Sequence, residues 1–166
     1  MNLNTARFGE VDIKDSSIIT FPGGLPGLEG LEKYAIIRCE QTEPIQWLQS
    51  TEDMDLSLPI INPFIVHPGY EVEVDDSELE YIKSSSEEDL MVMNIMVLPE
   101  ELSDMTVNLM APILINLKEM LGTQVMMDYK SFSIAFPAFE PLVKYYESEG
   151  EGEKEAVDAG TVEKSE

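Results

Sequence analysis

Within residues 105–127, MTVNLMAPILINLKEMLGTQVMM, apolar residues recur with a period of two from Thr106 to Ile115. This period is typical of a β-strand with one buried face. The residues that share the predicted core face are Val107, Leu109, Ala111, Ile113 and Ile115. Residues 116–123, which end in Leu-Gly-Thr, predict a reversal, and residues 124–127 then pair back to complete a hairpin. If buried, Asn108 and Asn116 must find hydrogen-bond partners, and we expect backbone groups to supply them.

Seven further segments are rich in β-branched, aromatic and aliphatic residues and are bounded by turn residues, which predicts short strands. They are residues 6–13, 17–21, 35–39, 45–50, 56–61, 90–98 and 129–139. The first two are predicted to pair with each other around a polar turn at residues 14–16. No repeat of fixed period is present. Many short strands joined by turns favour a mainly β, antiparallel, barrel-like single domain with one or two short helices, because a closed or strongly curved sheet covers its own edges.

Two segments interrupt the strand pattern. Residues 22–27, PGGLPG, contain two Pro-Gly pairs, which are typical of turns. The apolar residues after them predict one or two short helical turns between Leu28 and Tyr34. Ser77-Glu78-Leu79-Glu80 matches the capping-box pattern, which predicts a short acidic helix over residues 77–83.

Charge narrows the classes of partner. The chain has 33 acidic and 10 basic residues and a net charge of −23. Direct binding to nucleic acid is not expected, since it depends on Lys and Arg, and an anionic membrane surface is equally unfavourable. A basic protein partner would be steered toward such a surface, although solubility or a salt-adapted host explains the same composition.

The 166 residues fit one folded domain, which we assign to residues 1–146. Residues 147–166 contain eight acids, two lysines and almost no large apolar side chains, which predicts a disordered acidic tail. The single cysteine, Cys39, excludes an internal disulfide and fits a reducing compartment. With no leader pattern and no apolar run near the roughly 20 residues that span a bilayer, we expect a cytoplasmic protein.

Candidate catalytic chemistry is sparse. His67, the only histidine, and Cys39 show no nucleophile–base pattern, and G-x-S-x-G is absent. The glycines of residues 22–27 lack phosphate-loop spacing, and the acids of residues 75–80 lack the calcium-loop order. We therefore predict no enzymatic activity, no cofactor and no metal. A carboxylate-based hydrolase or a ligand-binding barrel stays an alternative, although most acids lie in hydrophilic runs, where burial does not raise the pKa of a carboxyl group.

Four blocks, taken in order, resemble one family. They are residues 21–29 (FPGGLPGLE), residues 47–53 (WLQSTED), Asn62-Pro63-Phe64, and residues 107–116 (VNLMAPILIN) followed by Gly122-Thr123-Gln124. Their order and spacing over residues 3–136 closely resemble the flagellar assembly factor FliW family. The tail lies outside this resemblance.

The resemblance implies a non-enzymatic, barrel-like regulator with two partners, flagellin and the RNA-binding translational repressor CsrA. Nothing in the sequence demands more than a monomer. When flagellin is scarce, such a factor binds CsrA and relieves repression of flagellin translation, through a surface distinct from the RNA site. When flagellin accumulates, it recaptures the factor. The narrower alternative is a flagellin chaperone that does not bind the repressor.

Candidate partner-contact residues fall in one aromatic turn and two acidic segments. They are Asn62, Pro63 and Phe64; Glu52, Asp53 and Asp55; and Asp75, Asp76, Glu78 and Glu80. A proline-fixed turn can present Phe64 as an interface anchor, whereas the alternative is that Phe64 only caps the barrel core. The acids equally fit solvated loops, and residues 22–27 are a further candidate that turn formation alone would explain.

Overall fold

Thirteen short strands and three α-helices form residues 1–128 and 130–156, the part of the chain that this computed structural model describes. The strands are β1 (Asn2–Thr5), β2 (Gly9–Asp12), β3 (Ile19–Thr20), β4 (Gly24–Leu25), β5 (Leu28–Glu29), β6 (Lys33–Arg38), β7 (Gln46–Ser50), β8 (Ser57–Ile61), β9 (Leu90–Val97), β10 (Thr106–Val107), β11 (Ile113–Asn116), β12 (Leu121–Gln124) and β13 (Phe136–Pro137). The helices are α1 (Pro63–Val66), α2 (Asp76–Tyr81) and α3 (Phe139–Ala156).

Seven of these strands close into a barrel in the order β3, β6, β7, β8, β9, β11, β12. All neighbours are antiparallel except the closing pair, in which β12 runs parallel to β3 and the two strands meet at Leu121 and Thr20. The amide of Thr20 donates to the carbonyl of Met120 (3.0 Å) at this seam. The predicted barrel-like β fold is confirmed, with one parallel pair in place of a purely antiparallel sheet.

The central strands are buried on both faces. Alternate residues of β6, β7 and β8 belong to two separate apolar clusters, so that Leu48 lies in one and its neighbour Trp47 in the other. The interior cluster fills the barrel and includes Phe21 and Tyr34, whose rings meet edge to face at 5.4 Å. Because both faces are buried, neighbouring residues in these strands, such as Trp47 and Leu48, are both apolar instead of alternating with polar ones.

The second cluster lies on the outer face of the barrel, beneath the N-terminal hairpin and the helices. The ring of Phe8 lies 5.9 Å from that of Trp47, and the guanidinium of Arg7 lies 4.2 Å from the Trp47 ring centroid. Leu142 of α3 is buried in the same cluster. A third cluster lies between β11–β12 and α2 and is built on Leu114 together with buried Ile82 and Val125.

Two asparagines hold irregular backbone in place. The Asn108 side-chain oxygen accepts hydrogen bonds from the amides of Met110 (3.0 Å) and Ala111 (3.1 Å). Asn116 donates to the carbonyls of Ile82 (2.9 Å) and Lys83 (3.1 Å), which ties the end of α2 to the β11–β12 hairpin. The expectation that both asparagines satisfy backbone groups is confirmed.

The hairpin between β11 and β12 turns earlier than predicted. The turn occupies residues 117–120, and residues 121–124 pair with β11 instead of forming part of the reversal. The side-chain oxygen of Asn116 accepts from the amides of Lys118 (3.0 Å) and Glu119 (3.3 Å) and so stabilises a turn that contains no glycine. Because the turn does not use a glycine, Gly122 lies within β12, where its lack of a side chain matters for packing.

The N-terminal prediction was also shifted. β1 pairs with β2 around a turn at residues 6–8, whereas β3 joins the barrel, so the predicted pairing of residues 6–13 with 17–21 is wrong. Thr5 stabilises this turn, because its hydroxyl donates to the Gly9 carbonyl (2.9 Å) and accepts from the Phe8 amide (2.8 Å). The helical turns predicted between Leu28 and Tyr34 are strands instead, since Gly27, at φ +86°, permits the tight β4–β5 hairpin.

Helix positions differ from the predictions at two places. α2 begins at Asp76 with Asp75 at the N-cap, so Ser77 does not cap it. Of the strand predicted over residues 129–139, only β13 forms, and Tyr129 lies outside the described residues. α3 was not predicted, although Pro141 is tolerated in the first turn of a helix, where amide groups have no intrahelical partner.

The predicted domain boundary after residue 146 lies inside α3, which continues to Ala156. Residues 157–166 of the predicted tail lie outside the described residues. Disorder of these last residues stays a prediction.

Substituting Gly122 by Ala is expected to lower the free energy of unfolding by about 1–3 kcal/mol, because the interior is already filled at this point. An added Cβ would lie 2.4 Å from Cε2 of the buried Phe21 ring. Urea unfolding monitored by circular dichroism measures the change. Gly69→Ala is the matched control, since a Cβ there meets no atom within 4 Å, and an equal loss in both variants would contradict the packing argument.

Candidate functional site

Asn62, Pro63 and Phe64 form the start of α1. The Asn62 side-chain oxygen accepts a hydrogen bond from the Phe64 amide (2.9 Å), which caps the helix, and Pro63 occupies its first turn. Asn62 and Phe64 are exposed, but Pro63 is buried and is therefore not a surface contact. The local sequence thus fixes the direction in which Phe64 leaves the backbone.

Phe64 lies at the surface and does not cap the barrel interior. Its side chain is 42% exposed, and its ring centroid lies 5.9 Å from that of Tyr70. It forms one wall of a shallow groove of about 270 Å³. The other residues that line this groove are Val72, Val74, Leu79, Glu87, Leu90, Val92 and Leu114. A half-exposed aromatic ring beside an apolar floor suits contact with another protein.

The acidic loop after β7 divides into carboxylates that support the backbone and one that does not. Glu52 accepts hydrogen bonds from the amides of Glu32 (2.7 Å) and Lys33 (3.2 Å), and Asp53 accepts from the amide of Asp55 (3.0 Å). The side chain of Asp55 makes no hydrogen bond within residues 1–128 and 130–156. Asp55 is therefore the member of this group whose carboxylate is available to a partner.

The acids of the second segment lie on and just before α2. Asp75, Asp76 and Glu80 are exposed, whereas Glu78 is half-buried. None of these carboxylates has a hydrogen bond or ion pair with another residue of the described chain. The segment is therefore an uncompensated negative surface.

A second groove, of about 510 Å³, separates α2 from the loop of residues 22–27. The Tyr81 hydroxyl spans the gap and donates to the Pro22 carbonyl (2.9 Å). Glu29 lies on the loop side, and the hydrogen bond from the Gly27 amide (3.0 Å) lowers the pKa of its carboxyl. The remaining lining residues are Gly24, Pro26, Ser77, Glu78, Gly122, Thr123 and Gln124.

α2 therefore stands between two grooves and brings several candidates together. It shares one groove with Phe64 and the other with the loop of residues 22–27. The acidic loop after β7 is connected to the loop of residues 22–27 by two hydrogen bonds. The Glu52 carboxylate accepts from the Glu32 amide, and the Glu32 carboxylate accepts from the Gly23 amide (3.1 Å). Tyr81, Glu29 and Gln124 were not predicted, because only the tertiary fold places them beside one another.

The two residues considered for nucleophilic chemistry have separate neighbours. His67 ends α1, with its ring 5.2 Å from that of Phe136, and Cys39 lies 3.1 Å from the side-chain oxygen of Gln41. Across the described residues there is no group of three or more His, Cys, Asp or Glu side chains placed to hold a metal ion. Within the same residues no helix is long and apolar enough to cross a membrane.

The fold and its grooves define a small β-barrel protein whose candidate residues, apart from the buried Pro63, lie at its surface instead of around a buried reactive centre. A family model described as FliW protein matches residues 2–138. A flagellar assembly factor FliW from Clostridium tetani (strain Massachusetts / E88) is 34% identical over 140 residues, covering 84% of this chain and 97% of that protein. One from Thermosipho africanus (strain TCF52B) is 40% identical over 135 residues, covering 81% and 92%.

A solved structure agrees with the sequence comparison. The crystal structure of the flagellar assembly factor FliW superposes with a TM-score of 0.78 at 29% identity and covers 84% of this chain and 97% of its own. The chain therefore belongs to the FliW family of flagellar assembly factors. The resemblance of the four sequence blocks is confirmed, and the family is one of regulatory proteins instead of enzymes.

Replacing Glu52 by Ala is expected to lower the free energy of unfolding by about 1 kcal/mol, because two backbone amides lose their acceptor. Asp55→Ala removes a carboxylate without such a bond and is expected to stay within about 0.5 kcal/mol. Urea unfolding, together with faster amide exchange at Glu32 and Lys33 in the first variant alone, checks the distinction. Equal effects would show that Glu52 has no supporting role.

Proposed function

We propose that this chain binds flagellin and, when released from it, binds CsrA and relieves the repression of flagellin translation. The observation that carries the proposal is the family match across residues 2–138. In this proposal the protein acts in the cytoplasm as a monomer and contacts proteins, with no direct contact to nucleic acid or membrane. The proposed function consists of binding alone and uses no catalytic group.

The electrostatics support a basic partner. A protein that binds RNA needs Lys and Arg for the phosphates, and a net charge of −23 attracts such a protein over a long range. The uncompensated carboxylates of Asp75, Asp76 and Glu80 place part of that charge on and just before α2, between the two grooves. Charge then raises the rate of encounter, while apolar contacts in the grooves determine how long the complex lasts.

Phe64 is the proposed anchor, with the α2 acids Asp75, Asp76, Glu78 and Glu80 and the loop acid Asp55 as charged contacts. Asn62 acts by capping α1 and Glu52 and Asp53 by supporting backbone, so these three position the surface. Pro63 is buried and fixes the turn. The proposal thus divides the predicted residues into contacts and supports.

The exchange is tested with the purified chain immobilised and each partner added separately at low salt. We expect both flagellin and CsrA to bind, flagellin to displace bound CsrA, and the CsrA association rate to fall as salt is raised. Binding of flagellin without CsrA would replace the proposal with a chaperone that does not regulate translation. Binding of neither would overturn the proposed function altogether.

Substitution of Phe64 by Ala is expected to weaken binding of at least one partner by about tenfold or more, since exposed aromatic anchors contribute most of the energy of an interface. Isothermal titration calorimetry measures the affinity. Leu102→Ala is the matched control, because Leu102 is 53% exposed but lines a different groove beside α3. Unchanged affinity of the Phe64 variant for both partners would remove this residue from the site.

A further inference from the structure

The barrel is incompletely closed along β12. This strand runs to Gln124, but its neighbour β3 pairs with it only at Leu121 and Thr20. After Thr20 the chain leaves the sheet in a tight turn, in which the Gly24 amide donates to the Phe21 carbonyl (2.7 Å). The remainder of β12 therefore has a strand on one side only.

Backbone hydrogen bonds to the β11 side fix the direction in which this free edge faces. The amides of Val125 and Met127 donate to the carbonyls of Pro112 (3.0 Å) and Met110 (2.7 Å), on the β11 side. Because backbone groups alternate in direction along a strand, the amides and carbonyls of Gln124 and Met126 point away from β11. None of these four groups has a hydrogen-bond partner among the residues that the structure describes.

The free edge borders the larger groove beside α2. Gly122, Thr123 and Gln124 form one side of this groove of about 510 Å³. Glu29 and Glu78 line it from the loop and from α2. An unpaired strand edge beside open space and two carboxylates combines backbone hydrogen bonding with negative charge.

We propose that this groove binds an extended peptide segment of a protein partner, which adds to β12 as a further strand and carries Lys or Arg toward Glu29 and Glu78. Main-chain hydrogen bonds to Gln124 and Met126 supply affinity, and the carboxylates select positive side chains. The occupant is not this chain's own C-terminus, since residues 157–166 carry three acids and one lysine. A second copy is equally disfavoured, because each chain has a net charge of −23.

This inference goes beyond the proposed function and does not require that the partner be flagellin or CsrA. The probe is a short synthetic peptide of alternating lysine and valine, titrated into the isotopically labelled full chain. We expect the amide signals of Gln124 and Met126 to shift on binding. The same peptide with every backbone amide N-methylated keeps its charge but donates no backbone hydrogen bond, and a version with glutamate in place of lysine has the opposite charge, so neither is expected to shift these signals.

Two kinds of result would overturn the proposal that a peptide strand adds to β12. Shifts spread over the acidic surface, or shifts at Gln124 that persist with the N-methylated peptide, would show only general attraction of a cation to an acidic protein. No shift at Gln124 and Met126 with the lysine–valine peptide would also overturn the proposal. Both results come from the unmodified chain and do not depend on whether a variant folds.

Two substitutions at one position isolate the backbone donor. Gln124→Pro and Gln124→Ala both remove the side-chain hydrogen bond to the Ala111 carbonyl (3.0 Å), but only the proline also removes the outward amide. We expect about tenfold weaker peptide binding for Gln124→Pro than for Gln124→Ala, with both variants folded by circular dichroism. Equal affinities would contradict strand addition at β12.

Discussion

The contact on which the fold depends is the closure between β12 and β3. The two strands share a single bridge, and it is reinforced from inside by Phe21, whose ring lies where a side chain on Gly122 would otherwise be. Closure leaves the barrel interior inaccessible to water and satisfies most strand edges at once. The same short seam leaves the far end of β12 unpaired, so one local geometry both completes the core and opens the edge beside α2.

Burial of the outer face explains where the grooves lie. The N-terminal hairpin and the three helices cover the outside of the barrel with separate pieces, because each piece is too short to cover it alone. Trp47 lies under the hairpin, Leu142 under α3, and Leu114 beneath α2. Gaps remain where neighbouring pieces do not meet, and acidic side chains without basic partners line the two gaps beside α2. The position of the candidate surface therefore follows from the gaps between the separate pieces that cover the barrel.

The proposed contact surface is already held in place by hydrogen bonds within the chain itself. Asn62, Glu52 and Asn116 use their side chains to hold backbone groups, which lowers the conformational freedom that a partner would have to remove on binding. Charge operates at a longer range than these contacts and falls with ionic strength. The proposed exchange of partners would benefit from this separation, since encounter and retention would depend on different groups.

The sequence by itself determined the β class, the positions of β6 to β9 within a few residues, and the family. Apolar period and turn chemistry are local properties, and a strand predicted over residues 45–50 requires neighbours such as Trp47 and Leu48 to lie on opposite faces, as they do. The closing pair, the Asn116-stabilised turn, the N-cap of α2 and the whole of α3 were decided by tertiary structure. Phe139, Leu142, Val143 and Tyr146 do recur at helical spacing, but Pro137 and Pro141 obscured that signal. The two grooves beside α2 form between residues that are far apart in the sequence, such as Pro22 and Tyr81. A local sequence pattern does not predict which distant segments will lie side by side.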